Sequence, residues 1–350
     1  MTGTTKSGSK NVLYTCSYVP EEIILAAGFQ PRRFLPEGRP ADAHVHQNTC
    51  EYVKSMLGAA LEGTAPEAAA IIIANSCDAM RRLYDLWTEY VTTVPAFFLD
   101  IPKKMDAGAI EFFASELRKL AEEMDRELPG RTIGNEDLEG AIEKCNEVRS
   151  LMGDVFRAQR CAKKDVRGRE VIELCLAGTR LTKTEFAAEV RRFLAGLEET
   201  DGDDDERRIL FTGSLINKPD LVAEIENAGG RVVVLDTCIG LRHYETLVEE
   251  GAPDAMLALA RRYLTKPACP RMQGFEKRLQ YTIETATEAG AGGVVFCSVK
   301  FCDMCLYDVP MMSRRFRDLG TPFLWVEGNY GWADLGQMKT RIAAFLEMEW

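Results

Sequence analysis

The sequence has no glycine-rich GxGxxG turn, no P-loop and no GxSxG elbow, which leaves nucleotide binding and serine hydrolysis without motif support. It also has no run of Lys and Arg. With 43 Lys and Arg against 54 Asp and Glu, the formal net charge is −11, and such a chain offers no electrostatic footprint for nucleic acid or an anionic membrane. No stretch approaches the ~20 apolar residues of a spanning helix, and the polar opening MTGTTKSGSKNVLY has no signal-peptide core. A cytoplasmic protein is expected.

What is present is a chain of 350 residues, 46% hydrophobic, long enough for two or three folding units. Short β-rich apolar runs at 11–15, 69–74, 94–99, 208–213, 231–236, 293–298 and 322–327 alternate with helical patterns. Most are near-continuous rather than alternating, the mark of strands buried on both faces of a parallel sheet. Helices are expected at 20–27, 50–61, 78–91, 217–228, 276–289, 310–319 and 334–347. Between about 106 and 197 the pattern is helical throughout, with Thr182 and Glu185 in capping-box spacing. The run EETDGDDDE at 198–206, seven acidic residues in nine, reads as a solvated linker. The expected organisation is an N-terminal α/β domain (1–105), a helical segment ending in the acidic linker (106–205) and a C-terminal α/β domain (206–350).

Eleven cysteines are out of proportion to an ordinary cytosolic enzyme, and an odd count in a reducing compartment argues against a disulfide framework. Ligands of doubly wound sheets bind beyond the carboxyl ends of strands. Cys16, Cys77, Cys238 and Cys302 follow strand patterns, and Cys50 enters a helix. A helix N-terminus favours a thiolate or an anionic cluster. Cys145, Cys161 and Cys175 lie in the helical segment and read as buried filler. Cys297, Cys302 and Cys305 imitate the C-x₄-C-x₂-C of plant-type ferredoxins, but Cys297 sits inside a strand pattern. Zinc on Cys302 and Cys305 would need a second C-x₂-C or a histidine pair. His44 and His46 read as surface or structural residues.

The stretches CSYVPEEIILAAG (16–28), NSCDAMRRLYD (75–85), DTCIGLRHYE (236–245) and VKFCDMCLYDVP (299–310), in that order, resemble the iron–sulfur subunits of 2-hydroxyacyl-CoA dehydratases and benzoyl-CoA reductases. PACPRMQGFEKRL (267–279) adds to the likeness. The resemblance implies two flavodoxin-like parallel-sheet domains with a helical insert, and a [4Fe–4S] cluster between the α/β domains on Cys50, Cys77 and Cys302. One iron would stay open to substrate, with Ser17 and Cys16 near it and Tyr18 to Glu22 shaping the wall. It further implies an ATP-hydrolysing iron–sulfur activator, which delivers one low-potential electron for making a ketyl radical from an acyl-CoA thioester. A homologous subunit, as homodimer or heterodimer, is expected. Arg32, Arg33, Arg81, Arg82 and Arg242 are offered for the CoA phosphates.

Two alternatives stay open. The family includes double-cubane [8Fe–9S] proteins that reduce small molecules and need about six thiolates, for which Cys16, Cys238 and Cys269 would join the three, with Cys305 in reserve. Against this, Ser214 stands where such proteins tend to carry another cysteine, and the single cluster is preferred. The other alternative is an electron-relay subunit without catalysis of its own.

Overall fold

A computed structural model of the protein describes residues 10–37, 39–130, 132–161, 163–200, 206–331 and 335–349. Most of the acidic run at 198–206 and the expected helix start at Asp334 lie outside them. In chain order the elements are β1 (Asn11–Tyr14), α1 (Glu21–Ala26), β2 (Gln30–Arg33), α2 (Glu51–Leu61), β3 (Ala70–Ala74), α3 (Asp78–Tyr90), β4 (Ala96–Leu99), α4 (Ala107–Glu127), α5 (Asn135–Arg160), α6 (Gly168–Gly178) and α7 (Lys183–Ala195). There follow β5 (Arg207–Gly213), α8 (Asp220–Asn227), β6 (Gly230–Asp236), α9 (Leu241–Tyr244), α10 (Ala255–Thr265), α11 (Phe275–Glu288), β7 (Gly293–Val299), α12 (Asp303–Asp318), β8 (Phe323–Gly328) and α13 (Leu335–Glu347).

The strands form two separate four-stranded sheets, ordered β2-β1-β3-β4 and β6-β5-β7-β8. Every pairing is parallel. Both orders follow the flavodoxin-like 2-1-3-4 pattern, so the expected α/β class holds. Continuous burial of β3 and of β6 and β7 explains why these runs read as unbroken apolar stretches. The chain divides into two compact units. Unit 1 comprises residues to Arg149, Thr179–Thr184 and Thr246–Gln273 and holds the first sheet. Unit 2 comprises Ser150–Gly178, Glu185–Glu245 and Gly274 onward and holds the second.

Several elements depart from the sequence expectation, the four-residue α9 among them. β2, with sequence QPRR, was not foreseen, because Pro31 breaks a strand pattern; the structure accommodates it on the edge, beside β1. α10 was also unforeseen; Asp254 caps it by accepting the Leu257 N–H at 3.1 Å. α12 begins at Asp303, seven residues before the expected start, and carries Pro310 in its interior. Among the described residues no helix is long and apolar enough to cross a membrane.

Candidate functional site

Each sheet carries the same lock at the carboxyl ends of its first and third strands. In unit 1, Thr15 follows β1, donates its N–H to Ile72 O at 3.2 Å, and accepts the Ala74 N–H on Oγ1 at 3.1 Å. In unit 2, Ser214 follows β5, donates its N–H to Cys297 O at 2.9 Å, and accepts the Val299 N–H on Oγ at 3.0 Å. The hydroxyl therefore ties down the last residue of the third strand in both. Gly213 makes the unit 2 turn possible: its φ is +124°, and a Cβ there would stand 1.9 Å from Cys297 O.

Three residues beyond those locked ends sit Cys77 and Cys302, the N-caps of α3 and α12. Cys50 is the N-cap of α2. The backbone confirms the caps, since Arg81, Leu306 and Lys54 donate their N–H groups to the carbonyls of Cys77, Cys302 and Cys50 at 3.0, 3.0 and 3.2 Å. All three cysteines are half-buried, and none makes a side-chain cap hydrogen bond. Tyr52, the second residue of α2, donates its hydroxyl to Thr15 O at 3.2 Å and Phe34 O at 2.7 Å, which anchors the start of that helix beside the end of β1. Unit 1 thus brings Cys16, Ser17, Cys50 and Cys77 to one sheet edge, while in unit 2 Cys238 follows β6 and Cys302 follows β7.

The donor chemistry fits an iron–sulfur cluster: soft thiol ligands at the starts of helices, where N–H groups lack intrahelical partners and favour negative charge. Among the described residues, no group of three or more His, Cys, Asp or Glu side chains forms a metal-holding set. The other cysteines are more easily sorted. Burial pushes the Cys297 thiol up to about 12, and pushes Cys145 and Cys175 up further still, so these are neutral core groups. Cys305 is 4% exposed inside α12. Cys161 corrects the filler expectation: it follows the end of α5 and is exposed. His44 and His46 are on the surface, His44 edge-on to Tyr90 and His46 accepting the Asn48 N–H.

Cys16 and Ser17 are buried in the loop past β1. The acidic pair that follows turns inward instead of lining an open wall. Glu21 accepts the Tyr14 hydroxyl at 2.9 Å and Lys183 Nζ at 2.8 Å. Glu22, fully buried, pairs with Arg149 and accepts the Tyr263 hydroxyl at 2.8 Å. Burial alone would raise the Glu22 carboxyl, but Arg149 and Arg262 outweigh it and hold it below the usual carboxylate range. Burial and the neighbouring Arg149 bring Arg262 down to about 10.

Two of the arginines offered for phosphates are committed elsewhere. Arg242 is buried, pairs with Asp236 at 2.8 Å (Nε to Oδ1), and donates to Gly213 O at 2.6 Å and Asp236 O at 2.7 Å. Arg33 is buried with its guanidinium over the Tyr14 ring. Arg32 is half-buried, and Arg81 and Arg82 are exposed, Arg82 pairing with Asp85. Sequence reasoning missed Thr15, Lys266 and Arg271, whose roles depend on distant partners. Arg271 does lie within the PACPRMQGFEKRL likeness, the one signal that could have pointed to it.

Comparison with known proteins gives the chain's family. The chain is 27% identical over 351 residues to the (R)-phenyllactyl-CoA dehydratase beta subunit of Clostridium sporogenes, covering 98% of this chain and 92% of that one. It is 26% identical to a benzoyl-CoA reductase subunit of Thauera aromatica, covering 90% and 84%. It is 23% identical to the lactoyl-CoA dehydratase subunit beta of Anaerotignum propionicum, covering 95% and 89%. Residues 16–348 match the family described as 2-hydroxyglutaryl-CoA dehydratase, D-component, and the chain belongs to that family.

Proposed function

We propose that the protein is the iron–sulfur subunit of an oxygen-sensitive 2-hydroxyacyl-CoA dehydratase-type enzyme, or of a related benzoyl-CoA reductase-type enzyme. Cys50, Cys77 and Cys302 are the proposed thiolate ligands of a [4Fe–4S] cluster. The observation that carries this reading is that all three are half-buried helix N-caps, two of them three residues past the same locked strand end in different units. The family and the named relatives support an acyl-CoA thioester as substrate.

When bound, such a cluster would supply one low-potential electron, received from a separate ATP-hydrolysing activator, for making a ketyl radical of the thioester carbonyl so that the 2-hydroxy group can leave. The chain's own residues hold and orient. The Thr15 and Ser214 hydroxyls fix the strand ends, the helix starts favour the thiolates, and buried Cys16 and Ser17 are assigned next to the substrate. The proposed enzyme is completed by a second, homologous subunit and works in the cytoplasm.

The test is anaerobic purification with iron and sulfide analysis and EPR. Near four irons per chain is expected, and a colourless, iron-free protein would sink the reading. Cys77→Ala or Cys302→Ala should abolish the cluster absorbance. The double-cubane reading keeps one specific support: Cys16 and Cys238 also lie just past strands, and the Cys269 N–H reaches the Tyr18 hydroxyl at 3.2 Å in the same part of unit 1 as Ser17. A count near eight irons would replace the single cluster with it. An EPR signal that ignores added 2-hydroxyacyl-CoA after activator and ATP would favour a relay role.

A further inference from the structure

The segment 266–273 of unit 1 brings two buried cations to the loops past its strands. Lys266, 2% exposed, donates to the Ser17 carbonyl at 2.6 Å. Arg271, 3% exposed, donates through Nη2 to Ile101 O at 2.8 Å and Asn75 O at 3.3 Å, and through Nη1 to Pro102 O at 3.3 Å and Met272 Sδ at 2.8 Å. Both cations lie over the Tyr18 ring, Lys266 at 4.4 Å and Arg271 at 5.0 Å from its centroid. Arg271 therefore ties the loop two residues before Cys77 to the chain past β4.

The partners of Arg271 are backbone carbonyls, a thioether and a ring; no carboxylate is among them, and its buried Nε has no hydrogen-bond partner among the described residues. A guanidinium keeps its proton in a protein, and burial removes most of the screening that water would provide. Unit 2 handles its strand-end cation differently. Arg242 bonds the carbonyl of Gly213, the last residue of β5, but Asp236 neutralises it, with Thr212 holding the other carboxylate oxygen at 2.6 Å.

We propose that Arg271 is a positioning residue for the thiolate site, fixing the Asn75–Cys77 loop through backbone carbonyls and placing there a positive charge that has no direct ion-pair partner among the described residues, the nearby Asp100 being bonded to the Asn75 amide instead, and that favours the more reduced state of a cluster bound to Cys77. This rests on the cluster reading above. A positive charge lowers the energy of the state with one more electron, so removing it makes the cluster harder to reduce.

The experiment compares wild type, Arg271→Gln and Arg271→Lys, purified anaerobically, with iron and sulfide counted first. Iron-free wild-type protein overturns the cluster reading, and the hydrogen-exchange test below then judges the positioning by itself. In iron-loaded proteins, Arg271→Gln should shift the midpoint potential to more negative values, whereas Arg271→Lys, which keeps the charge, should stay near wild type. An unchanged potential in Arg271→Gln at wild-type iron content overturns the proposal. If Arg271→Gln does not retain iron, hydrogen exchange of the iron-free proteins decides. Faster exchange confined to residues 75–79 and 101–104 supports the role; exchange like wild type, or raised evenly throughout unit 1, overturns it.

Discussion

In unit 1 the residue past the first strand is Thr15 and in unit 2 it is Ser214, and each hydroxyl accepts the N–H of the residue three before an N-cap cysteine. The two units differ in what lies around that shared edge. Unit 1 surrounds it with a connected set of buried charges, Glu21, Glu22, Lys183, Arg149 and Arg262, joined through Tyr14 and Tyr263. Unit 2 uses a compact pair, Arg242 with Asp236, beside a glycine turn and a strand whose thiol stays neutral. The same topology can thus present a thiol beside an extended set of buried charges or beside a compact ion pair. Hydrogen bonding at the strand ends holds the thiol's position, while the surrounding charges set the local field.

The largest way to break this comparison is Arg149→Met, which leaves Glu22 buried without its guanidinium. A loss of about 3–5 kcal/mol is expected in denaturant unfolding, with hydrogen exchange rising in unit 1. Acid acts on the same group. The folded Glu22 carboxyl lies below its unfolded value, so its contribution is present above the unfolded carboxylate range and is lost as pH falls through the folded one. In unit 2, burial raises Glu226 and Glu245, so they do the reverse: stability rises as pH falls from their raised values toward the unfolded range. Exchange measured on descending from neutral pH through about pH 4 should therefore loosen unit 1 before unit 2. Loosening of both together would remove the contrast.

Gly213→Ala should be next, costing about 2–3 kcal/mol through the positive φ and the Cys297 carbonyl, at a place where β1 of unit 1 ends in Tyr14. Thr15→Val and Ser214→Ala each leave one buried strand-end N–H without its acceptor, so each should cost about 1–2 kcal/mol. Matching losses would sharpen the claim of a common lock; a loss in only one would restrict it to that unit. Cys161→Ala, at an exposed position past α5, should stay within about 0.5 kcal/mol and leave the iron content unchanged.

Much of the α/β alternation was legible because buried parallel strands are apolar throughout. β2 was hidden, since an edge strand needs no apolar run and tolerates Pro31. Nothing comparable hid α10, whose Asp254 cap and Ala- and Leu-rich run are ordinary helix signals. Pro310 misled the reading of α12: proline favours a first turn, and here it is carried inside a helix that starts at Asp303.

Residue order alone dictated the parallel α/β class and the placement of cysteines just beyond strands, because burial periodicity and strand-to-helix junctions are local properties. It could not tell the exposed Cys161 from the buried Cys145, or a phosphate-seeking arginine from one already paired. Those distinctions belong to the tertiary structure. Glu22 meets Arg149 across 127 residues and Ser17 meets Lys266 across 249, and a charge separated so far in sequence acquires its partner only when packing brings the two together and excludes water.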